Sequence, residues 1–169
     1  MPYYITYGEF QKQMTDYYRQ AGKRMQFTEM TDYLYRKGLL KQTLEIPNVT
    51  GIFENMSDDE FEDIIDSFVL FLTPQIPSTS SVVETDIIPH KRDVFVIRHP
   101  QFTRPNPHTH NFFEINYVVR GSCRFTFEDE ISTLQEGELC IIAPSSKHDI
   151  LIDDESIVYT IMLRKSSFD

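Results

Sequence analysis

The chain has 169 residues, of which 40% are hydrophobic and 13% are aromatic. This composition supports one domain with an extension, or two small units, and argues against intrinsic disorder. The formal net charge of −10 argues against direct nucleic-acid binding, because that affinity comes largely from Lys and Arg that neutralise phosphates. No apolar run approaches the roughly 20 residues of a membrane-spanning helix. We see no signal-peptide pattern either, and therefore expect a cytoplasmic protein without membrane contact.

The first 80 residues are expected to form a helical N-terminal segment that ends in a linker. Three helices are predicted, over Gly8–Ala21, over Glu29–Lys37, and from the capping box at Ser57 to Leu72. The first two are each followed by a glycine, and the third carries apolar residues at helical spacing. The stretch Pro74–Ser81 is rich in Pro and Ser, which predicts a linker.

Beyond residue 81 the pattern changes to β structure, so we expect two domains, at residues 1–80 and 81–169. Short apolar runs alternate there with turn residues, which is typical of a sandwich or barrel. Eight strands are predicted, at Val82–Ile88, Val94–His99, Phe112–Val119, Cys123–Glu128, Ile131–Leu134, Leu139–Ala143, Asp149–Ile152 and Ile157–Leu163.

The predicted strand around residue 112 carries the most informative polar residues of the chain. Side chains alternate between the faces of a strand, so His108, His110, Phe112, Glu114 and Asn116 are expected on one face. Two imidazoles and a carboxylate on the inner face of such a strand are costly unless they bind something. A further candidate, His148, lies in a later turn-rich stretch.

The spacing of these residues resembles the two conserved motifs of the cupin family. His108-x-His110-x3-Glu114-x6-Gly121 resembles the first motif, and the run from Gly137 to His148 resembles the second. From Val82 to Leu163, this resemblance implies a mainly β, cupin-type double-stranded β-helix (jelly-roll) barrel, preceded by the helical segment. Four scaffold positions depart from the family pattern: Phe102 and Ser145 stand at glycine positions, Ala143 at a proline position and Ile152 at an asparagine position.

A narrower resemblance is to the N-terminal domain of AraC-type transcription regulators. It rests on the run His108–Gly121, on Gly137–Pro144, and on the tail from Tyr159 to Asp169. The resemblance implies a non-enzymatic sensor and dimerisation domain, in which a small-molecule effector, for example a carbohydrate, binds inside the barrel. Its expected partners are that effector and a second copy of the chain in a homodimer. DNA would be reached only through a C-terminal helix-turn-helix domain absent from this chain.

The cupin resemblance also implies a metal site made by His108, His110, Glu114 and His148. Neutral imidazole and carboxylate ligands suit Zn, Ni, Mn or Fe(II). The alternative is that the same residues contact the effector, or one another, by hydrogen bonds alone. Both interpretations stay open at the level of sequence, and selectivity among the metals cannot be derived from residue types.

Other polar residues are weaker candidates for contact with the effector. Asn116 shares a strand face with Glu114, and Arg124 lies on the next predicted strand. Arg98 is a further candidate, because a guanidinium forms forked hydrogen bonds with carboxylates. For all three, a solvent-facing strand residue is the alternative. His90 and His99 fit no motif and are expected at the surface.

Two further expectations concern the cysteines and catalysis. Cys123 and Cys140 lack a metal-type spacing and are expected to be buried free thiols in a reducing compartment. The rival to the sensor is a small cupin metalloenzyme, a dioxygenase or isomerase, with the same three histidines and Glu114 as ligands. Apart from those ligands, the sequence offers it no obvious general acid or base. A stand-alone binding protein for a sugar or small acid is a third possibility.

Overall fold

A computed structural model describes residues 3–42, 56–72, 81–88 and 92–168 of the chain. The chain divides into two compact units, Met1–Pro77 and Ser78–Asp169. The predicted linker Pro74–Ser81 and His90 lie outside the described residues, apart from Ser81 at the end of that linker.

The N-terminal unit combines three helices with a small antiparallel sheet. The helices are α1 (Tyr7–Ala21), α2 (Phe27–Arg36) and α3 (Asp58–Ser67), and the strands are β1 (Tyr3–Thr6), β2 (Lys41–Gln42) and β3 (Val69–Leu72). The sheet order is β2-β1-β3. The predicted helices are therefore present, and the structure adds a sheet that the sequence did not predict. Helix α1 ends at Gly22 in the left-handed conformation, and α3 begins with the predicted capping box at Ser57.

The third predicted helix is shorter than expected. We predicted it to continue to Leu72, but it ends at Ser67, and Phe68 has an extended conformation with ψ at 153°. Val69–Leu72 instead pairs with β1, and its side chains alternate between buried and more exposed positions. A short apolar run fits a helix or a strand equally well, and here the pairing with β1 decides for the strand.

The C-terminal unit is built from short strands. They are β4 (Ser81–Val82), β5 (Val94–Arg98), β6 (Thr109–His110), β7 (Phe113–Arg120), β8 (Ser122–Phe127), β9 (Glu130–Gln135), β10 (Leu139–Ile142), β11 (His148–Leu151) and β12 (Ile157–Leu163). They form a sheet with the order β10-β7-β12-β5, a sheet with the order β11-β8-β9, and the parallel pair β4-β6. Seven of the eight predicted strands are confirmed, with ends that differ by at most two residues.

The predicted strand Val82–Ile88 is wrong. Only Ser81–Val82 is a strand, and a single helical turn, α4 (Glu84–Ile87), follows it. The backbone N–H of Glu84 donates to the Asn111 side chain over 2.6 Å. The Glu84 carboxylate accepts hydrogen bonds from Arg164 (3.2 Å) and from the backbone N–H of Lys165 (3.0 Å). These contacts hold the segment beside β6, the strand that carries His110.

The inner face of the larger sheet has a layered arrangement. Along β12, Val158 belongs to one apolar cluster and Met162 to a second, and Thr160 lies between them. Along β7, Val118 belongs to the first cluster, and the buried polar residues Glu114 and Asn116 follow. In register, Thr160 pairs with Asn116. A layer of polar side chains therefore lies between two apolar layers inside the barrel.

Two of the bulk expectations can be compared with the structure. Cys123 is buried and Cys140 is half-buried, and both are free thiols. Burial raises the pKa of Cys123 to about 11 and also raises the pKa of Cys140. Among the described residues, no helix has both the length and the apolar character needed to cross a membrane.

Candidate metal and effector site

Glu114 is the centre of the polar layer. Its side chain is 8% exposed, with Oε2 3.1 Å from Nε2 of His110 and Oε1 3.5 Å from Nε2 of His148. Asn116 Nδ2 donates a hydrogen bond of 2.7 Å to Oε1. The carboxylate is therefore surrounded by groups that favour its ionised form.

His108 and His148 are held together by the backbone. The N–H of each residue donates to the carbonyl oxygen of the other over 3.0 Å, which makes an isolated antiparallel bridge between the segment at His108 and the first residue of β11. The centroids of the two rings lie 4.5 Å apart. The loop that precedes His108 is anchored as well, because the N–H of Asn106 donates to Asp149 over 3.1 Å.

The same two rings have their tautomers set by carbonyl groups. Nδ1 of His108 lies 2.9 Å from the carbonyl oxygen of Asn106, and Nδ1 of His148 lies 3.0 Å from that of Ser146. A carbonyl can only accept, so in both rings Nδ1 carries the proton. In the neutral form, Nε2 then carries a lone pair. A hydrogen bond from the far ring nitrogen is the usual outer contact of a metal-binding histidine.

The charges in the layer are strongly coupled. Burial alone would raise the pKa of Glu114, but its interactions with the rings of His110 and His148 outweigh it and hold that pKa well below its usual range. Burial alone would lower the pKa of His148, but Glu114 outweighs it and raises that pKa. The pKa of His108 is lowered by burial and by the nearby His148. Without a bound ion, His148 is thus the preferred position for a proton beside Glu114.

The structure brings together most of the predicted site residues. His108, Glu114 and His148 each offer a ligand atom, and these atoms lie within 4.8 Å of one another. His110 lies against the other carboxylate oxygen of Glu114, and its ring stacks on Phe112 with centroids 4.0 Å apart. We call His108, Glu114 and His148 the three-residue cluster.

Arg124 is not part of this arrangement, and its predicted position on the cavity face is wrong. Its side chain is 47% exposed and lies 3.8 Å from Asp153. Its strand neighbours Cys123 and Phe125 are the residues that face the core. Arg98 also fails to join the layer, because on β5 it alternates with Ile97, which packs against the inner apolar cluster.

The prediction that His99 is a surface residue is also wrong. His99 is half-buried, and its Nδ1 lies 3.2 Å from Oγ1 of Thr160. Burial lowers the pKa of His99 to about 4. The sequence alone did not predict that His99 and Thr160 contact each other beside the polar layer. One signal was present: Thr160 is a hydroxyl residue at the inner-facing parity of β12, between Val158 and Met162.

The three-residue cluster fits a divalent metal ion. Two imidazoles and one carboxylate are a common donor set for Fe(II), Zn and related metals. The Nε2 atom of His148 is buried, and beyond the ion-pair contact of 3.5 Å with Glu114 Oε1 it makes no hydrogen bond among the described residues. An orphaned buried nitrogen of this kind is destabilising unless a ligand or an ion completes its contacts. Nδ1 of His110 is likewise buried without such a partner.

One protein-family model matches part of the chain. Residues 92–165 match the family model described as the AraC-like ligand binding domain. The match includes every member of the three-residue cluster, and it also includes His99 and Thr160. No curated protein matches the chain. Together with the sheet topology, the family match confirms the predicted cupin-type barrel with a helical extension.

Several solved structures are similar to part of this chain. KdgF from Halomonas sp. has 21% identity and a TM-score of 0.39, with 48% of this chain and 81% of that chain covered. A cupin protein from Bacteroides fragilis has 26% identity and a TM-score of 0.37, with 45% and 68% covered. A putative ethanolamine utilization protein from Salmonella typhimurium has 17% identity and a TM-score of 0.35, with 41% and 55% covered.

Proposed function

We propose that residues 81–169 form a sensor domain that binds a small-molecule effector at the polar layer, with a divalent metal held by the three-residue cluster. The observation that carries this proposal is the pre-oriented set of half-buried His108 and buried Glu114 and His148, inside a segment that matches a ligand-binding family. In this proposal the domain controls a longer AraC-type regulator. It acts as a homodimer in the cytoplasm and reaches DNA through a helix-turn-helix domain.

The energetics of the layer favour a binding role over a purely structural one. A buried ion pair is often no more stabilising than apolar residues of the same volume, because both charges lose their hydration. Here a carboxylate and two histidines share one interior layer, and buried nitrogens of His110 and His148 lack hydrogen-bond partners among the described residues. A core selected for stability alone would not keep such groups. Ligand binding gives them a function.

A bound metal would be held by Nε2 of His108, Nε2 of His148 and an oxygen of Glu114. It would supply a positive charge and open coordination positions for an effector with hydroxyl or carboxylate oxygens. A metal and a proton compete for the same lone pair of His148, so metal affinity should increase with pH as that proton is lost. His110 would keep its contact with the second oxygen of Glu114.

A thermal-shift screen of the untagged chain tests this proposal. Divalent metals and a panel of sugars and small acids are added to the wild type and to His108→Ala, His148→Ala and Arg124→Ala. A ligand that binds only the folded state raises the melting temperature by mass action. We expect shifts that are lost in both histidine variants and kept in Arg124→Ala, because Arg124 lies on the outer face. Shifts that persist in both histidine variants would place the binding site elsewhere and refute the proposal.

A metalloenzyme is the second candidate, and one observation favours it. Two histidines and one carboxylate leave several coordination positions free, as in Fe(II) oxygenase sites. Oxygen-electrode assays with Fe(II)-loaded protein and the same small-molecule panel distinguish the two candidates. Substrate-dependent oxygen uptake that is lost in His148→Ala would establish an oxygenase. A metal-dependent thermal shift without turnover of the bound compound would support the sensor.

A further inference from the structure

A chain of hydrogen bonds extends from Glu114 to a histidine outside both sequence motifs. Asn116 Nδ2 donates to Glu114 Oε1 over 2.7 Å, and Thr160 Oγ1 donates to Asn116 Oδ1 over 2.6 Å. Nδ1 of His99 lies 3.2 Å from Thr160 Oγ1. Asn116 and Thr160 are 0% and 3% exposed, so water does not readily replace these contacts. We call these residues the His99–Glu114 chain.

The ionised carboxylate fixes the direction of every bond in this chain. A carboxylate only accepts, so the amide nitrogen of Asn116 must face Glu114, and its oxygen must face Thr160. The single hydroxyl proton of Thr160 is then used toward Asn116. The oxygen of Thr160 is left as an acceptor, so His99 must donate from Nδ1.

His99 itself has a restricted choice of partners. Burial lowers its pKa to about 4, so the ring is neutral near pH 7 and carries one N–H. The ring also meets the backbone carbonyl of Ile150, which means that two acceptors compete for that single proton. Because the hydroxyl proton of Thr160 is used toward Asn116, a hydrogen bond between His99 and Thr160 requires the ring proton on Nδ1.

We propose that His99, Thr160 and Asn116 are positioning residues that orient the Glu114 carboxylate and thereby tune the affinity of the three-residue cluster for a divalent cation. The chain holds Oε1, the oxygen that faces His148, in a fixed direction. Outer residues that orient a metal ligand typically change metal affinity by about 10–100-fold when they are removed. This inference rests on the proposed metal site and goes beyond it by assigning three residues that do not themselves bind the ion.

Cobalt(II) titration of the full-length chain tests the inference, because the visible absorption of Co(II) reports both binding and ligand geometry. Thr160→Val removes the hydroxyl and nearly preserves the shape, whereas Thr160→Ser keeps the hydroxyl. We expect Thr160→Val to weaken Co(II) binding by about tenfold or more and to alter the absorption spectrum. Thr160→Ser should stay close to the wild type. Equal affinities and spectra for the two variants would overturn the proposal.

A second pair of variants, at His99, keeps the test valid if Thr160→Val is unstable. An NMR measurement on the metal-free protein tests the hydrogen bonds without any metal. His99→Asn keeps an N–H near the position of Nδ1, and His99→Leu removes it; only the second should weaken Co(II) binding. Nitrogen-15 NMR of the metal-free chain should show the proton of His99 on Nδ1, and Glu114→Gln should abolish that preference. A proton on Nε2 of His99 in the wild type would refute the proposed direction of the hydrogen bonds in the His99–Glu114 chain. Failure of the wild type to bind Co(II) would refute the proposed metal site. The NMR result alone would then decide whether the hydrogen bonds of the His99–Glu114 chain exist.

Discussion

The depressed pKa of His99 predicts a specific acid sensitivity of the barrel. Its folded-state pKa is about 4 against an ordinary value of 6.5, so between these two values the unfolded chain binds the extra proton. The contribution of neutral His99 to the unfolding free energy is therefore fully present above pH 6.5 and is lost as the pH falls toward 4. The difference of 2.5 units corresponds to about 3 kcal/mol of unfolding free energy.

His99→Asn isolates this contribution, because asparagine does not titrate. Urea unfolding is measured from pH 4 to pH 7 with EDTA present, and is followed by NMR signals of Ile157–Leu163, which report on the C-terminal unit alone. The advantage of the wild type over the variant should shrink by about 3 kcal/mol between pH 6.5 and pH 4. His108 has a pKa shift in the same direction, and His148 one in the opposite direction. Both are common to the two proteins and cancel in the difference.

Two results would refute this reasoning. Stability curves that run parallel from pH 4 to pH 6.5 would show that His99 has the same proton affinity in both states. A direct NMR titration that places the midpoint of the His99 imidazole near 6.5 would show that the ring is solvated, and the hydrogen bond to Thr160 would then be absent.

Three further predictions concern the backbone and the thiols. Gly121 and Gly137 both have φ near +80°, but a Cβ on Gly121 would lie 2.1 Å from Ser156 Oγ, whereas a Cβ on Gly137 meets nothing within 4 Å. In urea unfolding, Gly121→Ala should therefore lower the unfolding free energy by about 3 kcal/mol or more, and Gly137→Ala by about 1 kcal/mol. Equal losses would contradict the steric argument. Ser145 has φ 71°, so Ser145→Gly should raise the unfolding free energy by about 1 kcal/mol; a loss of stability would show that the serine makes a compensating contact. Because the pKa of Cys123 is about 11, a thiol reagent at pH 8 should label it about 100-fold more slowly than an exposed cysteine. Peptide mass spectrometry measures this rate. Labelling at the ordinary rate would show that the thiol is accessible.

Strand periodicity predicted most of the barrel correctly. Ile157–Leu163 has the predicted bounds, and Glu114 and Asn116, which parity predicted to share one strand face, are both buried. Periodicity is most informative in β7 and β8, where buried and more exposed residues alternate, because a shift of one residue there would expose the whole apolar set. The weaker regions are those where a contact distant in sequence decides the structure. Glu84 is the example, since its helical turn is held by groups about 80 residues away.

The candidate site was predicted in part for a related reason. Parity places residues of a strand on one face or the other, but it does not say which face is inner. Arg124 was assigned to the cavity on this uncertain basis, although the apolar Cys123 and Phe125 beside it mark the core face. His99 was predicted at the surface because it fits no motif, although it ends the predicted strand Val94–His99 and shares the parity of Ile97, which packs against the inner apolar cluster. Its partner Thr160 belongs to a distant strand, so no local pattern joins the two.

Two turns beside the site have a non-glycine residue where the cupin motifs, which this sequence resembles, have glycine. Phe102 and Ser145 stand at these positions, and both keep left-handed conformations with φ 57° and 71°. A non-glycine residue there is destabilised by roughly 1–2 kcal/mol, so surrounding contacts must hold the conformation. The N–H of Phe102 donates to the Ile152 carbonyl, and that of Ser145 donates to the His110 carbonyl over 2.7 Å. The second bond connects the substituted turn directly to a residue of the polar layer. The departures from the motif therefore change side chains at these turns, while the backbone that carries His110 and His148 keeps the geometry the site requires.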